Sequence, residues 1–343
     1  MTQPDEQPTL SDGTITLRPW RDEDVEEAVA GHDAEMGLWL GWDPDSVTTE
    51  RLRQVIAEWR ADYASDRRRA SFAVEHQGRL VGSVEITRQS SWHGDVSWTL
   101  YAGHRGQGYA ARAVRILLDW SFTDPAQGGL GLTRVEARVD PRNERGRRVA
   151  TRAGLRQEGL QRVMPGSAER ADATSMVVYA RLASDPPLSD PQSFRSLLNS
   201  FLPRKRAISQ MLIRDPDGRV LVCQLTYKTD WDLPGGVVEV GESPRLAVSR
   251  EVHEELGLTI TAGDLLLTDW LPPWGGWDDA ICLVFDGGVH DSAIIERIVK
   301  QEREIRDAQF CTVEQVRERA TDFTARRIEA AVAGVAPYTE SGN

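Results

Sequence analysis

Glu251, Glu254 and Glu255 stand at i, i+3 and i+4 in the stretch REVHEELGL. On a helix that spacing puts three carboxylates on one face. Like charges so close destabilise a bare helix, so the pattern asks for something that offsets them. A hard divalent cation does so, because Mg²⁺ takes carboxylate oxygens together with waters and phosphate oxygens. The flanking residues are equally constrained. Gly236 is followed after five residues by Glu242, and after seven more by Arg250, Glu251, Val252, His253, Glu254, Glu255, Leu256, Gly257 and Leu258. A merely solvated acidic face would need none of that spacing.

A second chemistry lies far upstream. Residues 104–110 read HRGQGYA, after the apolar run DVSWTLY and before the helical pattern ARAVRILLDWSF. Gly106 and Gly108 let the backbone turn tightly and present N–H groups outward. The following helix adds its positive N-terminal end, so the segment reads as a cradle for phosphate oxygens. Gly106-x-Gly108-x-x-Ala111 also fits a dinucleotide fingerprint formally. That reading fails, since the turn follows a run of strands and the acidic ribose partner about 20 residues on is missing.

The two features sit on opposite sides of a break at 183–203, ASDPPLSDPQSFRSLLNSFLP, whose Pro-rich first part suits an extended linker and whose SFRSLLNSFL suits one or two helical turns. A length of 343 residues likewise fits two domains. Before the break, strands are expected at 14–18, 71–75, 79–87, 95–101, 133–139, 155–163 and 175–182. Helices are expected at 22–30, within 47–61, and at 107–122 and 144–152. The mixture implies a mostly antiparallel sheet with helices on its faces. After it, strands are expected at 206–214, 219–225, 264–271 and 280–285, with helices at 244–256 and 313–332. The tail 333–343 reads as disordered.

Charge and composition exclude other classes. Residues 1–190 hold 24 Arg and no Lys against 29 Asp plus Glu, a net of −5, and the whole chain carries −12. Neither half has the basic excess that binding a phosphate backbone needs, so no nucleic acid partner is expected. Mean hydropathy is −0.43 and no run of 18 apolar residues occurs, so no membrane span is expected. The acidic, polar start is not a secretory signal, which points to the cytoplasm. Cys223, Cys282 and Cys311 are far apart with no metal spacing, and read as buried thiols.

The pattern from Gly236 to Leu258 resembles the Nudix box, and residues 204–332 are identified as a member of the Nudix hydrolase family. The resemblance implies an α/β/α sandwich and a Mg²⁺ (or Mn²⁺) site made by Gly236, Glu251, Glu254, Glu255 and a later carboxylate. Glu304 resembles that later position, with Glu302 as the alternative. Glu251 would be ligand or catalytic base, Arg250 would orient a box carboxylate, and Glu242 would anchor the loop or reach the metal through water. The implied reaction is hydrolysis of a nucleoside diphosphate linked to a second group.

Residues 12–182 resemble the RimJ/RimL-like branch of the GNAT N-acetyltransferases. The resemblance rests on Arg105-x-x-Gly108-x-Ala110, on TITLRPWRDEDVEEAVAG, on GRLVGSVEI, and on NERGRRVATRAGLRQEG at 143–159. It implies a GNAT fold and an acetyl-CoA site built from Arg105, Gly106, Gln107, Gly108, Tyr109, Ala110 and Asn143. Glu136 would be the catalytic base, with Asp95 as a second candidate. The family's usual Tyr acid is replaced here by Ala150, and a Ser used by some relatives is replaced by Gly146. The expected whole is therefore of mixed α+β and α/β class. It is a bifunctional enzyme with small-molecule substrates, an amine acceptor and a nucleotide derivative. Two alternatives stand beside this: one domain is an acetyl-CoA sensor for the other, or the fusion is an antibiotic-resistance protein.

Overall fold

The computed structural model describes residues 6–40, 43, 46–162, 175–226, 230–334 and 336–343. The chain divides into two compact units, Met1–Leu202 and Pro203–Asn343.

In the first unit the strands are β1 (Leu10–Ser11), β2 (Thr16–Arg18), β3 (Arg69–His76), β4 (Arg79–Arg88), β5 (His93–Leu100), β6 (Arg134–Val139), β7 (Arg156–Arg162) and β8 (Ser175–Leu182). They form one sheet in the order β1-β2-β3-β4-β5-β6-β8-β7, antiparallel except between β5 and β6. The helices are α1 (Asp24–Gly31), α2 (Ala34–Leu40), α3 (Thr49–Asp66), α4 (Tyr109–Phe122), α5 (Glu144–Ala153) and α6 (Pro191–Phe201). Strand alternation sends side chains to two cores. Phe72 and Val74 of β3 join Val114, Leu117 and Leu118 of α4. Ala73, between them, joins Val25, Leu52 and Ile56 of α1 and α3. The expected strand at 155–163 ends at Arg162; its last residue, Val163, lies outside the described residues.

One feature of this sheet makes a site. β5 and β6 pair only over His93↔Arg134, Gly94↔Val135 and Asp95↔Glu136. Beyond Asp95, β5 runs on to Leu100 without β6, while β6 keeps its other partner, β8. The sheet therefore opens between the C-terminal ends of two parallel strands.

In the second unit the strands are β9 (Arg206–Arg214), β10 (Val220–Leu225), β11 (Trp231–Asp232), β12 (Gly235–Val237), β13 (Leu265–Leu271), β14 (Ala280–Val289), β15 (Ile305–Cys311) and β16 (Tyr338–Glu340). The helices are α7 (Pro244–Leu256), α8 (Val313–Arg319) and α9 (Asp322–Ala333). The sheet is covered on both faces. Met211, Ile213, Leu221 and Cys223 pack with Val248, Val252 and Leu256 of α7. Leu212, Val220, Val222 and Cys282 pack with Ile328 of α9. This is the expected α/β/α arrangement, and it explains why β9 and β10 read as continuous apolar runs. All three cysteines are buried free thiols.

The helical turns expected in 183–203 form as α6: Asp190 caps it through the N–H groups of Gln192 and Ser193, with Pro191 in its first turn. Leu197 is then buried, and the Ser200 hydroxyl accepts from the Gln157 N–H of β7 at 3.1 Å. Two other expectations are corrected. The tail is ordered rather than disordered. β16 pairs in parallel with β13, and the fully buried Asp269 carboxylate accepts from the Thr339 hydroxyl at 2.8 Å and the Gly342 N–H at 3.0 Å. A buried carboxylate needs such partners, and residues 339–342 supply them. Finally, the single helix expected at 313–332 breaks at Ala320, which is extended. The break lets α9 bury Arg327 against Asp232, 3.0 Å away, while α8 buries Val316.

Candidate active sites

The first site lies at the opening between β5 and β6. It is a cleft of about 710 Å³, lined by Trp98 and Leu100 of β5, Gly106 and Gly108, and Asn143 and Val149 among others. Gly106 (φ +80°) and Gly108 (φ +86°) both need left-handed backbone. Gly108 caps α4 with no side-chain hydrogen bond. Among the described residues, no protein acceptor meets the backbone N–H groups of residues 106–111. A Cβ added at Gly106 or Gly108 would meet nothing within 4 Å. Unfilled space, outward N–H groups and a helix N-terminus together fit a diphosphate.

The remaining expected residues divide. Arg105 lines the cleft, but its guanidinium is occupied. It donates to the Leu100 carbonyl (2.9 Å), to both Asp33 oxygens (2.8 and 2.9 Å) and to Glu35 (2.8 Å). Ala110 also lines the cleft, whereas Gln107 and Tyr109 are not among its lining residues. The Tyr109 ring is buried against His76, and its hydroxyl donates to Gln107. Asn143 caps α5 by accepting from the Gly146 N–H at 2.8 Å. A Cβ at Gly146 would lie 2.9 Å from the Asn143 amide nitrogen, so a Ser there would displace the cap.

The two base candidates lie away from the cleft lining. Glu136 and Asp95 sit on the paired half of β5 and β6, and neither lines the cleft. Glu136 is also held by Arg134 (2.7 Å) and Arg138 (2.8 Å). Burial opposes its ionisation, but the hydrogen bond and charge of Arg134, with His93 and Arg138, hold its carboxyl below the ordinary range. Ala150 is fully buried and carries no donor. The carboxylate that does line the cleft is Glu35 of α2, bound by Arg105 and by Arg145 at 3.2 Å. Its seven-residue helix, AEMGLWL, has too little periodicity to announce itself in the sequence.

In the second unit α7 carries Glu251, Glu254 and Glu255. Pro244 opens α7 and Gly257 (φ +67°) closes it. Glu255 faces inward and accepts from the Gly235 N–H at 2.9 Å. Glu251 lies against Gly236 so closely that a Cβ there would fall 2.6–2.8 Å from its carboxyl atoms. Arg250 ties the outer members together, reaching Glu242 at 2.9 Å, Glu251 at 2.9 Å and Glu254 at 3.0 Å. Gln301 donates its backbone N–H to the Glu255 carbonyl at 2.9 Å, which brings the loop carrying Glu304 to α7. The exposed Glu302 precedes it in the same turn.

Electrostatics mark the cluster. Burial pushes the Glu255 carboxyl up to about 8, helped by the charges of Glu251, Glu304 and Asp232 and opposed by the Gly235 N–H. Burial also raises Glu251, with Glu254 and Glu304 adding to it and Arg250 opposing. A set of carboxylate oxygens beside a backbone strand, with one arginine to balance them, fits a hard divalent cation. The pH consequence has a definite sign. A carboxyl raised in the folded state stabilises the metal-free fold below the ordinary carboxyl range and loses that contribution as pH rises through about 8. The melting temperature of the metal-free second unit should therefore fall by roughly 5–10 °C between pH 5 and pH 8.5. Saturating Mg²⁺ should remove most of the fall, and Glu255→Gln should flatten it. Calorimetry at several pH values checks this; a metal-free melting temperature unchanged by pH would show that Glu255 titrates normally.

Comparison with known proteins finds a family match in each unit. Residues 14–156 match the family model described as an acetyltransferase (GNAT) domain, and residues 203–331 match that of a NUDIX domain. The chain joins a GNAT domain to a NUDIX domain. It is similar to the "Probable N-acetyltransferase YjcK" of Bacillus subtilis, 29% identical over 45% of this chain and 86% of the relative. It is also similar to a "MutT-like protein" of Streptomyces ambofaciens, 29% identical over 39% of this chain and 81% of that protein. Among solved structures, RimJ of Mycobacterium smegmatis in complex with CoA-disulfide aligns at 22% identity and a TM-score of 0.43, covering 56% of this chain and 93% of RimJ. The two domains thus belong to an acyltransferase and a hydrolase family. No helix among the described residues is long and apolar enough to cross a membrane.

Proposed function

We propose that the chain is a bifunctional enzyme, with an acetyl-CoA-dependent N-acetyltransferase in its GNAT domain and a divalent-metal-dependent hydrolase of nucleoside diphosphate derivatives in its NUDIX domain. What supports the hydrolase reading is the electrostatic coupling of Glu251 and Glu255 with Glu304 beside Gly236, with Glu254 joined to Glu251 through Arg250. A metal bound there, Mg²⁺ or Mn²⁺, would supply Lewis-acid polarisation of a phosphate and a water made acidic. The protein's own part is to hold the donors. Gly236 leaves room for Glu251, the Gly235 N–H orients Glu255, and Arg250 sets the rotamers of Glu242, Glu251 and Glu254.

In the GNAT domain, the free N–H groups of the cradle hold the cofactor's diphosphate and thereby place its acyl chain between β5 and β6. Acetyl-CoA supplies an activated thioester. Catalysis there rests on positioning, since no carboxylate among the described lining residues is free of an arginine. Glu136 has no part in this reading.

The test is incubation of the purified chain with Mg²⁺ and a panel of nucleoside diphosphate derivatives, with products followed by mass, alongside titration with acetyl-CoA. Metal-dependent cleavage of a panel member and binding of acetyl-CoA are expected. Failure of every panel member with intact acetyl-CoA binding would reduce the NUDIX domain to a ligand-sensing role.

A further inference from the structure

We propose that Arg148 and Arg152 bind the 3′-phosphate of coenzyme A, so that the GNAT domain selects this cofactor over dephospho-CoA. The inference rests on the acetyl-CoA reading and goes beyond it by assigning residues outside the cradle. It starts from charge. The described lining of the cleft holds four arginines, Arg105, Arg145, Arg148 and Arg152, against one carboxylate, Glu35. That excess sits in a half of the chain, residues 1–190, whose net charge is −5. A basic cleft in an acidic domain selects a multiply charged anion.

Arg105 is held by Asp33, Glu35 and the Leu100 carbonyl, and the exposed Arg145 shares Glu35 with it. Arg148 has only an exposed partner one turn back, Glu144 at 3.1 Å, and such a pair is worth little. The Arg152 guanidinium pairs with no acidic group among the described residues. The two stand at i and i+4 on α5, and Val149 beside them also lines the cleft. Ala150 and Ala153, on the opposite face, are fully buried.

Position argues against a second contact to the diphosphate. Arg115 of α4 donates to the Arg152 carbonyl at 2.7 Å, so Arg152 is level with Arg115. Arg115 lies seven residues past Gly108. The arginine backbone is thus roughly 10 Å along α4 from the cradle. The cradle's N–H groups serve one diphosphate and offer nothing at that distance. Coenzyme A carries a further phosphate dianion on its ribose, and two guanidinium forks suit a dianion through paired charge-assisted hydrogen bonds.

Calorimetric titration of the full chain with CoA and with dephospho-CoA tests the assignment. Wild-type protein should bind CoA roughly 10–100-fold more tightly, the preference shrinking as salt rises. The R148A/R152A variant should lose that preference while its affinity for dephospho-CoA stays within about 2-fold. R148K/R152K should restore part of it. Equal affinity of the wild-type protein for both ligands, or a double variant that keeps the preference, overturns the proposal. So does a double variant that loses both ligands while its melting temperature is unchanged. Binding of neither ligand by the wild type would instead overturn the acetyl-CoA reading on which the proposal stands. R152A alone provides the same comparison should the double variant not fold.

Discussion

Replacing Glu254 by Gln should lower metal-dependent hydrolysis by about 10³-fold or more while leaving acetyl-CoA binding unchanged. The expectation follows from geometry. Glu254 lies on the exposed side of α7, where its carboxylate touches only Arg250 among the described residues. It spans no fold contact, so its loss should cost little stability. Its negative charge, however, is one of the few that can balance a divalent cation, and a neutral amide forfeits it. Loss of about 4 kcal/mol of transition-state stabilisation corresponds to the stated factor. Gly236→Ala reaches the same cluster by a different route. The added Cβ would collide with the Glu251 carboxylate, which must swing away. A parallel loss in that variant would tie the effect to where the carboxylates sit rather than to charge alone. Steady-state kinetics with Mg²⁺ held in excess measures both. Hydrolysis by E254Q at near wild-type rate would remove the assignment of this cluster as the catalytic centre.

The second large effect is expected in the other domain. Gly108→Trp should weaken acetyl-CoA binding by at least about 100-fold. A side chain at this position starts from a Cβ with no heavy atom within 4 Å, so an indole extends into the space of the cradle. The residue also adopts φ +86°, which costs any L side chain about 1–2 kcal/mol. Gly108→Ala separates the two causes. It carries the same backbone cost but fills almost none of the space, and should bind within several-fold of wild type. Equal losses in both variants would trace the effect to backbone strain. Full binding by a folded G108W variant would show that the cofactor lies elsewhere.

The carboxylate set of the NUDIX domain was legible because it is local. Glu251, Glu254 and Glu255 are brought together by helical periodicity alone, and Gly236 and Arg250 lie within a short stretch of chain. The cradle was legible for the same reason, since Gly106 and Gly108 act on the turn that contains them. Glu304 rests on a family spacing, and the bond that brings its loop to α7 is tertiary.

What failed was long-range. Glu136 was a base candidate from the family resemblance, but whether a strand residue faces an opening depends on where two strands part. That point, just past Asp95 and Glu136, is where β5 and β6 stop pairing, while β6 stays bonded to β8 along its other edge. Glu35 reaches the cleft from residues 70 and 110 positions away, through Arg105 and Arg145. The tail read as disorder because its composition is polar. Composition carries no information on a partner such as the buried Asp269.

The sequence by itself thus determined two domains, the metal-type carboxylate face and the anion cradle, because each is written within one helix or one turn. Only the tertiary structure decided which acidic groups reach the cleft, which arginines are left for a ligand, and which polar segments are folded. Those depend on pairing between residues far apart in the chain, where strand separation and ion-pair competition, not local periodicity, set the outcome.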